Sequence, residues 1–153
     1  MTWIPCSARK SITIHAPLEK VYAYLADPER SGKHWGGVDR IENIGNSQYR
    51  WLLQERSTAG IKFKGDYVTK YTVNGKDEIN WAYVSGNFKT GGRHRLTASG
   101  DSTIVDMSVE NEADAPVPAL LKSVAKIFAQ SETDKSLETF ADGVRRALES
   151  GAA

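Results

Sequence analysis

The chain has 153 residues, enough for one domain with a real core and room for a cavity. Its 40% hydrophobic and 25% charged content is that of a globular protein, not of a disordered or fibrous one. A formal net charge of +1 supplies no global field that would favour nucleic acid or an acidic membrane, and the single cysteine, Cys6, excludes an internal disulfide and suits a reducing compartment.

The opening M-T-W-I-P-C-S-A-R-K has no apolar leader segment, and no apolar run approaches the roughly 18 residues that would span a bilayer. A cytoplasmic location and no integral membrane segment are therefore expected. S-I-T-I-H at 11–15 alternates and reads as a strand. Ala16-Pro17 breaks it, and Leu18, Val21, Tyr22 and Leu25 then recur at helical spacing. Asp27-Pro28 ends that helix, because a residue before proline is pushed out of the α region. A second short helix or turn, E-R-S-G-K-H, leads to Trp35.

Strands fill the middle. V-D-R-I-E-N-I and Q-Y-R-W-L-L-Q-E flank a turn at Gly45-Asn46. I-K-F-K-G-D-Y-V-T-K-Y-T reads as one long strand, with Ile61, Phe63, Tyr67, Thr69 and Tyr71 on one face and lysines on the other. E-I-N-W-A-Y-V follows, with Ile79, Trp81 and Tyr83 on one face. The pleat has period two, so the loop between these strands must have odd length to keep the apolar faces together. A three-residue loop, Val73-Asn74-Gly75, with Gly75 in the left-handed region and a bulge, pairs Thr69 with Ile79 and Tyr67 with Trp81. A two-residue Gly86-Asn87 loop then keeps Trp81 on the face of Gly92, His94 and Leu96. A turn at Gly100-Asp101 adds Val105, Met107 and Val109.

From Pro118 to about Leu148, apolar residues at helical spacing predict one long amphipathic helix. Its apolar stripe is interrupted where the track passes through Ser131 and Asp134. The whole of residues 1–153 reads as a single domain.

The order strand, two short helices, antiparallel strands, one long C-terminal helix is similar to the START-like superfamily, also called SRPBCC. That group includes Bet v 1-like proteins, polyketide cyclases/dehydrases and the CoxG family associated with carbon-monoxide dehydrogenase. I-T-I-H-A-P-L-E-K-V-Y-A-Y-L-A-D-P-E-R resembles that superfamily's opening, and H-W-G-G-V-D-R-I-E-N-I-G its next segment. I-K-F-K-G-D-Y and G-D-S-T-I-V-D-M-S-V resemble CoxG-like and cyclase-like members. The resemblance implies an α+β helix-grip fold. In it a curved antiparallel sheet of six to seven strands wraps around one long C-terminal helix, with two short helices after the first strand.

In that fold a pocket lies between sheet and helix. Tyr67, Thr69, Tyr71, Trp81, Tyr83, His94 and Met107 would face it from the sheet, and Ser131 and Asp134 from the helix. Buried phenols and imidazoles need hydrogen-bond partners, which a ligand or water in a cavity supplies. The competing reading is a plain core or rim, with Trp35 plugging the end of the barrel where the pocket reading has His34-Trp35 form the mouth.

The leading expectation is binding of a hydrophobic or aromatic small molecule: a lipid, a polyketide or an isoprenoid-like compound. One alternative is an enzyme of the polyketide cyclase/dehydrase kind. His94 or Asp134 would then act as general base, and Tyr67 or Tyr71 would stabilise an enolate. Another is a CoxG-like accessory protein with a partner enzyme. His15, His34 and His94 are too scattered for a metal site, and no nucleotide-binding or nucleophile-elbow pattern occurs. No metal, cofactor or nucleic-acid partner is expected.

Overall fold

The computed structural model describes residues 2–58 and 60–151. Strand β1 (Thr2–Ile14) is followed by helices α1 (Leu18–Leu25) and α2 (Pro28–Ser31) and a 3-10 turn at Gly32–Trp35. Then come β2 (Val38–Gly45), β3 (Gln48–Leu53), β4 (Arg56–Thr58), β5 (Ile61–Phe63) and β6 (Asp66–Asn74). Strands β7 (Glu78–Gly86), β8 (Phe88–Ser99) and β9 (Ser102–Ala115) complete the sheet. A 3-10 turn at Ala119–Leu121 leads into α3 (Lys122–Ser150). Seven strands form one antiparallel curved sheet in the order β1-β9-β8-β7-β6-β3-β2, while β4 and β5 form a separate hairpin. This is the expected α+β helix grip.

β1 is far longer than the segment 11–15. It pairs with β9 from Thr2↔Ala115 to Ile14↔Thr103. It is an edge strand, which is why Pro5 is tolerated within it. Its open edge is closed from the helix: Gln130 on α3 donates Nε2–H to Ser7 O (2.6 Å) and accepts from Ser7 N (3.3 Å).

The strand read as continuous over 61–72 is broken at Lys64-Gly65. A Cβ on Gly65 would lie 2.6 Å from Leu53 Cδ1, so the chain passes too close to β3 for any side chain there. The broken ladder is replaced by a side chain. Asn87 Nδ2 donates to Lys64 O (2.7 Å), and Asp66 N donates to Asn87 Oδ1 (2.9 Å). The inward placement expected of Ile61 falls outside the described side chains.

The β6–β7 loop has the expected odd length, and Gly75 the expected positive φ of 61°. The loop is Gly75-Lys76-Asp77, however, because pairing runs on to Asn74↔Glu78 and Asp77 O accepts from Leu96 N at 2.7 Å. Tyr71 therefore faces Trp81, and parity is preserved. The register shifts at Val84, between Thr69↔Tyr83 and Val68↔Ser85. The β2–β3 turn is Asn46-Ser47, both at positive φ, with Gly45 paired to Gln48.

The main core lies under the C-terminal half of α3. Leu137, Phe140, Ala141, Val144 and Leu148 pack there on Ile14, Val21, Leu25 and Val105. Tyr24 joins them, its hydroxyl 2.6 Å from His34 Nε2. Gly143 admits the His34 ring, since a Cβ there would sit 2.6 Å from His34 Nδ1.

Candidate functional site

A cavity of about 270 Å³ lies between the sheet and the N-terminal half of α3. Its sheet wall includes Tyr67, Thr69 and Tyr71 from β6, Trp81 from β7, and Thr90 and Asn111 from β8 and β9. Its helix wall includes Ala125, Phe128, Ala129, Glu132, Thr133 and Ser136. The β4–β5 hairpin closes one side with Arg56 and Phe63. Alternation along β6 and the odd loop after it put the ring-bearing residues on this face.

Its base is a stack of rings. Trp35 lies on Phe140 with centroids 4.0 Å apart and an interplanar angle of 16°, and meets Trp81 edge-on at 6.0 Å. His94 stacks on Phe140 (5.5 Å, 6°) and leans on Trp81 (4.8 Å). Trp35 thus lies between cavity and core, at the base rather than at the mouth. Gly92 makes room for Trp81, because a Cβ there would collide with Trp81 Cζ2.

The polar lining divides into spent and unspent groups. Thr69 Oγ1 accepts from Trp51 Nε1 (2.9 Å), and Thr90 Oγ1 from Trp81 Nε1 (3.2 Å). Burial holds the Cys6 thiol above its ordinary pKa, against a smaller lowering influence from Thr133, so it stays a protonated thiol. Arg56 on β4 pairs with Glu132 on α3 across the rim. Tyr67 and Tyr71 are different. Neither hydroxyl hydrogen-bonds another described protein group, and burial pushes both pKa values up, so both remain neutral donors. Asn111 Oδ1 is buried without a partner among the described residues.

Of the residues expected at the site, Tyr67, Thr69, Tyr71 and Trp81 line this cavity. The other five do not. Tyr83 lies beyond Trp81↔Gly92, where β7 and β8 part. It borders a separate open hollow there and donates its hydroxyl to Gly86 O at 2.8 Å. His94 and Met107 share the inner face but sit further along it, where α3 packs directly on the sheet. Each is only 2% exposed. Burial lowers the His94 pKa to about 3, so it is a neutral ring within the core. Ser131 is half-buried off the cavity. Asp134 is exposed and accepts from Gln130 Nε2 (3.0 Å), the amide that closes the β1 edge.

The helix residues that do face the cavity, Thr133 and Ser136 with Glu132 at the rim, escape a reading that extends the apolar stripe straight through its gap. Thr133 sits one helical turn before Leu137, and that spacing is the available signal. Among the described residues no group of three or more His, Cys, Asp or Glu could hold a metal ion.

Solved structures from several organisms share this fold. A Thermus thermophilus protein superposes with a TM-score of 0.77 at 16% identity, covering 96% of this chain and 99% of that one. A START superfamily protein from Mycobacterium smegmatis gives 0.72 at 19% identity, covering 94% and 97%. Norcoclaurine synthase from Thalictrum flavum, in complex with dopamine and hydroxybenzaldehyde, gives 0.60 at 12% identity, covering 94% and 86%. A search of curated proteins finds no match. The polyketide cyclase/dehydrase and lipid transport family model matches residues 5–145, in keeping with a helix grip built around an apolar cavity, and the chain belongs to that family.

Proposed function

We propose that this protein binds one compact apolar molecule carrying an aromatic or conjugated ring, of polyketide or isoprenoid type, in the cavity beneath the first half of α3. The observation that carries this reading is the pair of neutral, unpartnered phenols, Tyr67 and Tyr71, in a wall that is otherwise mostly apolar. A ligand oxygen would accept from them, and apolar rings would supply most of the affinity. The volume of about 270 Å³ lies just below the roughly 300–1,000 Å³ of small-molecule sites, which favours a compact molecule over a two-chain lipid. The aromatic ligands in the Thalictrum flavum enzyme structure are of fitting size and chemistry. An enzymatic reading finds neither His94 nor Asp134 on the cavity wall.

Native mass spectrometry of the purified protein tests the proposal, with 1-anilinonaphthalene-8-sulfonate titration as a second probe. A discrete added mass is expected, and it disappears in Ala129→Phe, which fills the cavity. Tyr67→Phe and Tyr71→Phe should each weaken binding by about fivefold, the worth of one hydrogen bond of about 1 kcal/mol. Binding that persists unchanged in the filled variant would sink the reading.

A further inference from the structure

The first half of α3 presents an apolar face to solvent. Leu120 is 96% exposed, Ile127 73% and Val124 59%, and Leu121 and Phe128 are each 40% exposed. These residues fall on one side of the 3-10 turn and the two helical turns after it. Leu121, Val124 and Phe128 also line the cavity, so the face runs without a break into the mouth. The charges on this stretch of helix have one sign, although Glu110 and Glu112 of β9 border the hollow beside Lys126. Between Asp114 and Glu132 the only charged residues are Lys122 and Lys126. Across the mouth, exposed Lys62 and Lys64 flank the cavity-lining Phe63, and Glu132 is already paired with Arg56. The net charge of +1 hides this local excess.

We propose that the N-terminal half of α3 docks on an anionic lipid bilayer, with Leu120, Val124 and Ile127 in the acyl boundary and Lys122 and Lys126 at the headgroups. Apolar residues beside lysines on one short helical stretch are what an interfacial helix requires. The mouth then opens toward the apolar layer, and an apolar ligand passes between bilayer and cavity without crossing water. A second copy of the chain fits the face less well. A two-fold pairing through Leu120, Val124 and Ile127 would bring Lys122 of both copies toward one seam, with no carboxylate on this stretch of the helix to offset it.

Vesicle flotation tests the docking surface. The protein should float with phosphatidylcholine vesicles containing phosphatidylglycerol, float poorly with phosphatidylcholine alone, and detach as salt rises. The double variant Leu120→Ser/Ile127→Ser should partition about tenfold more weakly or worse, given the apolar area removed. Lys122→Glu/Lys126→Glu should lose at least about fivefold per lysine on anionic vesicles. Neither Leu120, Ile127 nor Lys122 lines the cavity, and Ala129→Phe should float as the unaltered protein does, so this proposal and the ligand reading stand or fall separately. Equal, weak flotation with both vesicle types overturns the proposal. So does a dimer, seen by light scattering, that Ile127→Ser dissociates while vesicles are ignored; the face is then covered by a second copy.

Discussion

His94 shows what a position on the right face does and does not determine. Pleat alternation puts it on the same face as Tyr67, Tyr71 and Trp81, and that face is inward. Parity gives no depth along the strand, and depth is decided by where the helix touches the sheet. At His94 the ring of Phe140 on α3 lies flat against the imidazole, so there is no room for a ligand. The consequence is measurable. Its folded pKa of about 3 lies below the ordinary 6.5. The unfolded chain therefore takes up a proton near pH 6.5 that the folded chain refuses. The stability tied to the neutral ring is full above about pH 6.5 and is lost as pH falls toward 3, at about 1.4 kcal/mol per pH unit. His94→Phe keeps the stack and removes the titration. Urea unfolding at about pH 7.5, 6 and 4.5 should show the original protein losing ground against this variant only below about pH 6.5. Parallel pH dependences would mean that His94 is protonated in the fold. Tyr83 teaches the companion lesson. It follows Trp81 at the same parity, yet beyond Gly92 the strands separate and its hydroxyl turns to Gly86 O.

At the scale of elements, alternation, proline and glycine signals locate α1, β2, β7, β8 and α3, and the two-residue registers of β7–β8 and β8–β9 follow from Gly86-Asn87 and Gly100-Asp101. The break between β5 and β6 is not legible in the same way. Apolar and polar residues keep alternating through Lys64-Gly65, and what takes the place of the ladder is a side chain more than twenty positions away. Asn87 both donates to Lys64 O and accepts from Asp66 N, so only an amide fits. Asn87→Ala should cost about 1–2 kcal/mol, two partly exposed hydrogen bonds, and Asn87→Asp should not restore it. A carboxylate accepts from Asp66 N, but it cannot donate to Lys64 O and it stands beside the Asp66 carboxylate. Urea denaturation of the three proteins checks this; an unchanged midpoint in Asn87→Ala would show that water replaces the amide at no cost. The length of β1 is hidden for a similar reason: its edge is closed by Gln130, 123 residues away.

Across the whole molecule, α3 is one helix with two environments. From Leu137 to Leu148 its buried residues interlock with the sheet and α1; from Lys122 to Glu132 its inner side faces the cavity and much of its apolar side faces solvent. The sequence shows one stripe with a polar gap. Periodicity registers that residues are apolar, not what they meet, so the core half and the cavity half look alike. The difference sets local stability. Opening the first half breaks few buried contacts beyond the small cluster of Ile4, Cys6, Val117 and Ala125, the Gln130–Ser7 clamp and the Arg56–Glu132 pair. Opening the second half takes apart the core. Amide hydrogen exchange should therefore divide the helix: residues 137–148 exchange at or near the global unfolding free energy, and residues 122–132 through a smaller, sub-global opening. Filling the cavity with ligand, or adding anionic vesicles, should slow exchange in 122–132 and leave 137–148 unchanged, because a ligand stabilises only the state that binds it. Uniform exchange along the helix would show that α3 opens as a single unit.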